Sequence, residues 1–179
     1  MVEIGQIAIV AAFMLAVYVT VVGFAGGVLN GRDLVVSARW GFYSIVPLLL
    51  LATAGLIYAF VNNDFSVAYV AENSNLAMPR IYAWVAFYSG NAGSLLYIAV
   101  AFSIMASICL KVITKKLPYT APYALGVMSM VLLFFLAVIL FLANPLEKLP
   151  VTPADGQGIN PLLIPVSYTH LTLPTILLV

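Results

Sequence analysis

Four long apolar runs, parted by two short polar connections and one long polar stretch, set the pattern of this 179-residue chain. Residues 4–29 are almost continuously apolar, a little over the roughly 20 needed to cross about 30 Å of hydrocarbon, and predict a first span. Asn30-Gly31-Arg32-Asp33 is a turn signal, and Arg32 and Arg39 bracket a short polar connection. Residues 41–61 predict a second span, with Pro47 one turn inside it, where a missing N–H costs least. A third span is expected over 94–113, closed by Lys111, Lys115 and Lys116. Pro118 and Pro122 break the helix and restart it, and 123–143 predict a fourth span that ends at Asn144-Pro145. The expected fold is all-α: a polytopic membrane protein with four transmembrane helices and a long extracytoplasmic loop between helices two and three.

Composition agrees with that pattern. Apolar residues make up 64% of the chain and charged residues 7%, against roughly 25% charge in a soluble domain. Lys and Arg number none before the first span, two in the first connection, one in the long loop, three after the third span and one after the fourth. Positive residues stay in the cytoplasm, so the N-terminus, the long loop and the segment after Asn144 are expected outside, in a bacterium at the periplasmic face of the inner membrane. Met1-Val2-Glu3-Ile4-Gly5 has no basic n-region and the run after it is longer than a signal h-region, so it reads as a retained anchor. A net charge of +1 gives no basic face for nucleic acid. The spans hold no charge away from their ends, where pumps and ion-coupled transporters need one. Gln6, Thr20, Thr53, Ser103 and Ser107 read as bonded to their own helices, and Gly23, Gly26 and Gly27 as either a close-packing face or a fraying helix end.

The long loop, residues 62–97, carries the polar chemistry. It holds Asn62, Asn63, Asp64, Asn73, Asn75, Arg80 and Asn91 beside Phe65, Tyr69, Tyr82, Trp84, Phe87 and Tyr88. These rings read either as a stacking platform for a planar ligand or as an interfacial belt. The asparagines read as caps and turns, with Asp64 or Asn75 as helix N-caps. There is no Ser/His/Asp or Cys/His constellation, so no catalytic residue is expected in this chain. Cys109 is the single cysteine and His170 the single histidine, so no metal site is expected either.

Three elements in order carry a resemblance. Residues 63–71 (Asn-Asp-Phe-Ser-Val-Ala-Tyr-Val-Ala) with Asn73-Ser74-Asn75, Pro79 and Tyr82 resemble the first large periplasmic loop of the CcmF/NrfE family, the cytochrome c haem lyase subunits of the cytochrome c maturation system. Gly93-Ser94-Leu95-Leu96 resembles the family's Glu-Gly-Ser-Leu-Leu element, although Ala92 stands at the glutamate and Tyr88 and Ile98 stand where tryptophans are common. Pro153-Ala154-Asp155-Gly156 with Asn160-Pro161-Leu162-Leu163 resembles its Asp-Gly-x-x-Leu-Asn-Pro-Leu-Leu element. The resemblance divides the chain into 1–163, the N-terminal transmembrane part of a cytochrome c assembly protein, and 164–179, a non-family tail that resembles translated sequencing-adapter sequence.

What the resemblance implies is a fragment of a protein that holds b-type haem at the periplasmic face for covalent attachment to apocytochrome c. The implied partners are apocytochrome c, haem-chaperone and thioredoxin-like maturation subunits and the lipid bilayer. The family's haem-ligating histidines and Trp-rich segment have no counterpart here, so no axial ligation is expected from this chain and its standing as an enzyme is left open. Asp64, Tyr69, Asn73, Asn75, Arg80, Tyr82 and Trp84 are the loop residues expected to face haem or partner. Arg80 has two readings, a haem propionate partner or a pair with Asp64 or Glu72. The alternative function is a fragment of a channel or secondary transporter, suggested by four spans with glycines and prolines.

Overall fold

Helices account for every long apolar run, because backbone N–H and C=O groups in hydrocarbon must be satisfied within the segment itself. The computed structural model describes residues 1–76 and 83–158, with the side chains of Ala83 and Trp84 left out. Within these, α1 spans Val2–Val28, α2 Arg32–Val61, α3 Ala68–Asn73, α4 Ala83–Ser89, α5 Asn91–Lys116 and α6 Ala121–Phe141. The four long helices α1, α2, α5 and α6 are each apolar and long enough to cross a membrane. The short α3 and α4 lie in the connection between α2 and α5.

The second span differs from its expected form. The connection bracketed by Arg32 and Arg39 is helical, so α2 starts nine residues earlier than its apolar run and Pro47 falls at its middle rather than in its first turn. Long cationic side chains reach from a helix end to the polar boundary, which lets the helix continue through them. Pro47 deprives the Tyr43 carbonyl of its intrahelical donor.

One apolar core runs through the bundle, with α1 packed most extensively on α2 and then on α6. Small residues set these distances. A methyl placed on Gly23 would lie 3.3 Å from the Gly126 backbone of α6, and one on Gly55 of α2 would lie 3.2 Å from the Met1 carbonyl. The glycine face of α1 is thus a packing face and not a fraying end. Ser129, fully buried on α6, donates to the Ala16 carbonyl of α1 at 3.0 Å. By contrast Thr20, Thr53, Ser103 and Ser107 bond back to their own helices, on Ala16, Leu49, Val100 and Ser103 carbonyls.

The start of α1, the ends of α2 and α6 and the start of α5 share one end of the bundle. Glu3 pairs with Lys148 at 2.7 Å there, and Leu146, fully buried, packs on Gly5. Residues 29–31 and 117–120 make the turns at the other end.

Close glycine packing between α1 and α6 leads to a first prediction. Gly23→Val should lower the thermal midpoint of the detergent-solubilised protein, at a cost of about 1–3 kcal/mol from overpacking. Val21→Leu, on the exposed face of the same helix, should leave the midpoint unchanged.

Candidate functional site

The end of the bundle that carries the polar chemistry is assembled around α3. Tyr69 sits on its first turn, buried at 6% exposure, with its ring edge-on to Phe60 of α2 at a centroid distance of 5.7 Å. Its hydroxyl donates to the Phe87 carbonyl at 2.9 Å and accepts from the Gly90 N–H at 3.0 Å. One side chain thereby ties α3 to the end of α4 and the start of α5.

Those contacts explain the two glycines that open α5. A methyl on Gly90 would lie 2.7 Å from the Tyr69 ring, and one on Gly93 would lie 1.8 Å from the Phe87 carbonyl oxygen and 2.6 Å from the Tyr69 hydroxyl. Such distances exclude any side chain at Gly93, because the nearest atom belongs to backbone. Asn73 extends the junction: its amide donates to the Tyr69 carbonyl at 2.9 Å, and its oxygen accepts from the Ser89 hydroxyl at 3.1 Å.

The segment after α6 closes the junction from above. Ala68 N–H bonds to the Glu147 carbonyl at 2.9 Å and Leu149 N–H to the Ser66 carbonyl at 2.8 Å, around an antiparallel bridge of Val67 with Lys148. Further on, Gln157 N–H meets the Ala71 carbonyl at 2.7 Å and Gly158 N–H meets the Ser74 carbonyl at 3.1 Å, which satisfies acceptors at the open end of α3. Asp155 accepts from Leu76 N–H at 2.9 Å. A methyl on Gly156 would fall 1.9 Å from the Ser74 carbonyl oxygen. The Asp-Gly pair is therefore a docking element for the α3 terminus.

The candidate residues fall into distinct places. Asp64 makes an Asx turn, accepting from the Ser66 N–H at 3.2 Å and the Ser66 hydroxyl at 2.5 Å. It does not cap α3, whose N-cap is Val67; Asn75 lies against Gly158, and the residues it would cap fall outside the described ones. Tyr69 and Asn73 meet at the junction just described. Arg80 and Tyr82 lie outside the described residues, as do Asn160-Pro161-Leu162-Leu163 and the tail with His170, and the Trp84 side chain is likewise outside them. Phe65, Tyr69 and Phe87 are buried at 6%, 6% and 3% exposure, so these three rings are core and neither belt nor platform. The sequence reading missed the role of Gly90, Gly93, Ser89 and Gly156. A signal was available in the glycine pairs themselves, since glycine at a helix start commonly marks close approach of another group.

Beside this junction α4 and α5 leave an apolar groove of about 440 Å³ lined by Phe87, Tyr88, Ser94, Tyr97 and Ile98. Tyr88 and Tyr97 are 54% and 60% exposed. Among the described residues no group of His, Cys, Asp and Glu gathers at metal-binding spacing. Four apolar spans with a hydrogen-bonded cap at one end define a polytopic helical membrane protein.

Comparison with known proteins sharpens that class. The chain is 38% identical over 166 residues to a cytochrome c-type biogenesis protein CcmF of Pseudomonas fluorescens, covering 90% of this chain and 24% of the relative. It is 31% identical over 163 residues to a CcmF of Haemophilus influenzae, again over 90% of this chain and 25% of the relative. A solved structure titled cytochrome c heme lyase CcmF superposes with a TM-score of 0.75 at 22% identity, over 83% of this chain and 25% of that one, a likeness of fold. No protein-family model matches. Over the part matched, the chain belongs to the CcmF/NrfE family of cytochrome c-type biogenesis proteins. It spans about a quarter of the length of those curated relatives.

Burial pushes the Tyr69 phenol above the ordinary tyrosine range, while the Gly90 N–H donor works the other way. A folded-state value above the unfolded one, about 10, means that this group's contribution is fully present below pH 10 and is lost as pH rises through the folded value. Tyr69→Phe leaves the Phe87 carbonyl and Gly90 N–H unpaired and should cost about 1–3 kcal/mol. The gap in thermal midpoint between wild type and Tyr69→Phe should be constant from neutral pH to about pH 9 and narrow above about pH 10.

Proposed function

We propose that this chain acts in cytochrome c maturation, as the membrane part of a haem lyase subunit that holds haem at the periplasmic face for attachment to apocytochrome c. The observation that carries this reading is the conjunction of the family match with the α3 junction. Three sequence elements shared with the family, around residues 63–75, 93–96 and 153–156, are brought together in one hydrogen-bonded cap. An assembly that joins elements so far apart in the chain is suited to building one surface at the membrane boundary. Residues 1–163 form the family part in this reading, and 164–179 are extraneous to it.

Within the cap, Asp64, Tyr69, Asn73 and Asn75 act as the framework. Arg80, Tyr82 and Trp84 keep the role of facing haem or partner, Arg80 through its guanidinium fork on a carboxylate. In this reading the described residues offer haem an apolar contact and leave its axial ligation to other parts of the protein. The groove walled by Phe87, Tyr88, Tyr97 and Ile98 offers ring faces and aliphatic surface. Residues 62–76 and 83–90 contain no His, Cys or Met, and the Tyr69 hydroxyl is committed to its two backbone bonds with its ionisation disfavoured. Bound b-type haem would supply the vinyl groups that receive the thiols, and its ligands would come from elsewhere in the full-length protein. The implied partners are apocytochrome c, haem-chaperone and thioredoxin-like subunits.

Charge supports the orientation in this reading. Arg32, Arg39, Lys111, Lys115 and Lys116 all lie toward the end opposite the cap, which favours the cytoplasm for that end and the periplasm for the cap. In a Cys109→Ala background, Glu72→Cys should react with an impermeant thiol reagent in intact bacteria and Asn30→Cys should not. Both positions are exposed, so the reverse pattern would refute the orientation. Function is tested by exchange: residues 1–163 replace the matching quarter of the Pseudomonas fluorescens relative in a strain lacking its own copy. Recovery of covalent haem staining on cytochrome c is expected. A chimera that accumulates normally in the membrane, yet gives no stained cytochrome, would overturn the assignment.

A further inference from the structure

At the end of the bundle away from the cap, α2 and α5 leave between them a cleft of about 520 Å³, lined chiefly by Arg39, Trp40, Tyr43, Ile108, Lys111 and Lys115. Its chemistry changes with depth. α2 runs away from this end and α5 runs toward it. At 1.5 Å per residue, Tyr43 lies about 6 Å deeper than Arg39, and Ile108 about 10 Å deeper than Lys115. Lys111 and Lys115, four residues apart, share a helix face. Cations therefore ring the mouth and apolar surface lines the depth.

The cations far outnumber the acids here. This end carries five basic residues, Arg32, Arg39, Lys111, Lys115 and Lys116, against the single acid Asp33, a net of +4. Among the described residues the one salt bridge, Glu3 with Lys148, is at the opposite end. Ser107 and Thr114, also in the wall, donate to the Ser103 and Leu110 carbonyls of their own helix, which leaves the cations as the charged donors, beside the Trp40 indole N–H and the Tyr43 hydroxyl. Trp40 is 64% exposed and stands edge-on to Tyr43 at 6.2 Å, the placement of a ring at the level of lipid headgroups. A second cleft of about 720 Å³ shares Arg39 and Thr114 with the first and adds Arg32, so the positive region is continuous around this end.

We infer that the α2–α5 cleft binds an anionic phospholipid of the bilayer, its phosphate held by Arg39, Lys111 and Lys115 and an acyl chain laid along Tyr43 and Ile108. Charge complementarity selects the headgroup, and the apolar depth selects a lipid over free phosphate. The inference needs the four helices to be in a membrane and is independent of the reading in cytochrome maturation.

Native mass spectrometry of the full chain, released from detergent carrying equal phosphatidylglycerol and phosphatidylcholine, tests it. A cation near an anionic headgroup is worth roughly fivefold in affinity, so removal of all three should cost about a hundredfold. Preferential retention of phosphatidylglycerol is expected. It should be lost in the triple variant Arg39→Gln, Lys111→Gln, Lys115→Gln and kept both in Lys148→Gln and in the charge-conserving Arg39→Lys, Lys111→Arg, Lys115→Arg. Four results would each overturn the site: equal retention of the two lipids by wild type, displacement of phosphatidylglycerol by inorganic phosphate, an unaltered preference in the triple Gln variant, or a lipid-free dimer as the main species. The first and second are read on wild type and do not depend on how the variants fold.

Discussion

The Tyr69 hydroxyl is the point on which the polar end of this protein depends. In a chain so apolar, backbone groups near the hydrocarbon boundary have few partners to choose from, and an unmade bond there costs more than a made one contributes. One phenol meets two such groups, the Phe87 carbonyl and the Gly90 N–H, and in doing so ties the end of α4 to the start of α5. Gly90 and Gly93 then become obligatory, since the hydroxyl and the carbonyl occupy the space that side chains would need.

The bundle beneath follows a different rule. Lipid tails are as apolar as the helix surfaces, so contact area alone does not hold membrane helices together, and close backbone approach does. Gly23 against Gly126 and Gly5 near Gly55 supply that approach, and Ser129 adds a bond across it. Large residues such as Met14, Met105 and Phe134 point outward instead. The usual inside-out logic of a soluble core is thus relaxed on the outer surface and kept only along the helix seams.

Much of this was legible in the residues. Four spans emerge from unbroken apolar runs because nothing else in a sequence imitates them, and the back-bonded Thr20, Thr53, Ser103 and Ser107 follow from the scarcity of other partners in hydrocarbon. The start of α2 was not legible, since Arg32, Asp33 and Arg39 look like a connection and are helical only because they reach the polar boundary from within a turn of helix. Nor was the division of the loop rings. Phe65 and Phe87 are buried while Tyr88 is exposed, a distinction set by tertiary contacts such as that of Phe87 with Tyr69, eighteen residues away. Asp64 shows the same limit, because a carboxylate two residues before a serine suits a turn and a cap equally, and only the path of the backbone decides.

Remoteness in sequence affects how the protein is made. The bonds that close the cap join residues 66–76 to residues 147–158, with a separation of 79 residues between Leu76 and Asp155. A chain emerging at roughly 5–20 residues per second would present α3 about 4 to 16 s before its partner segment exists. During that interval α5 with its two glycines, and then α6, must enter the bilayer, while Tyr69 is already made. The loop is therefore provisional until translation has passed residue 158, and its completed surface is a late product of synthesis.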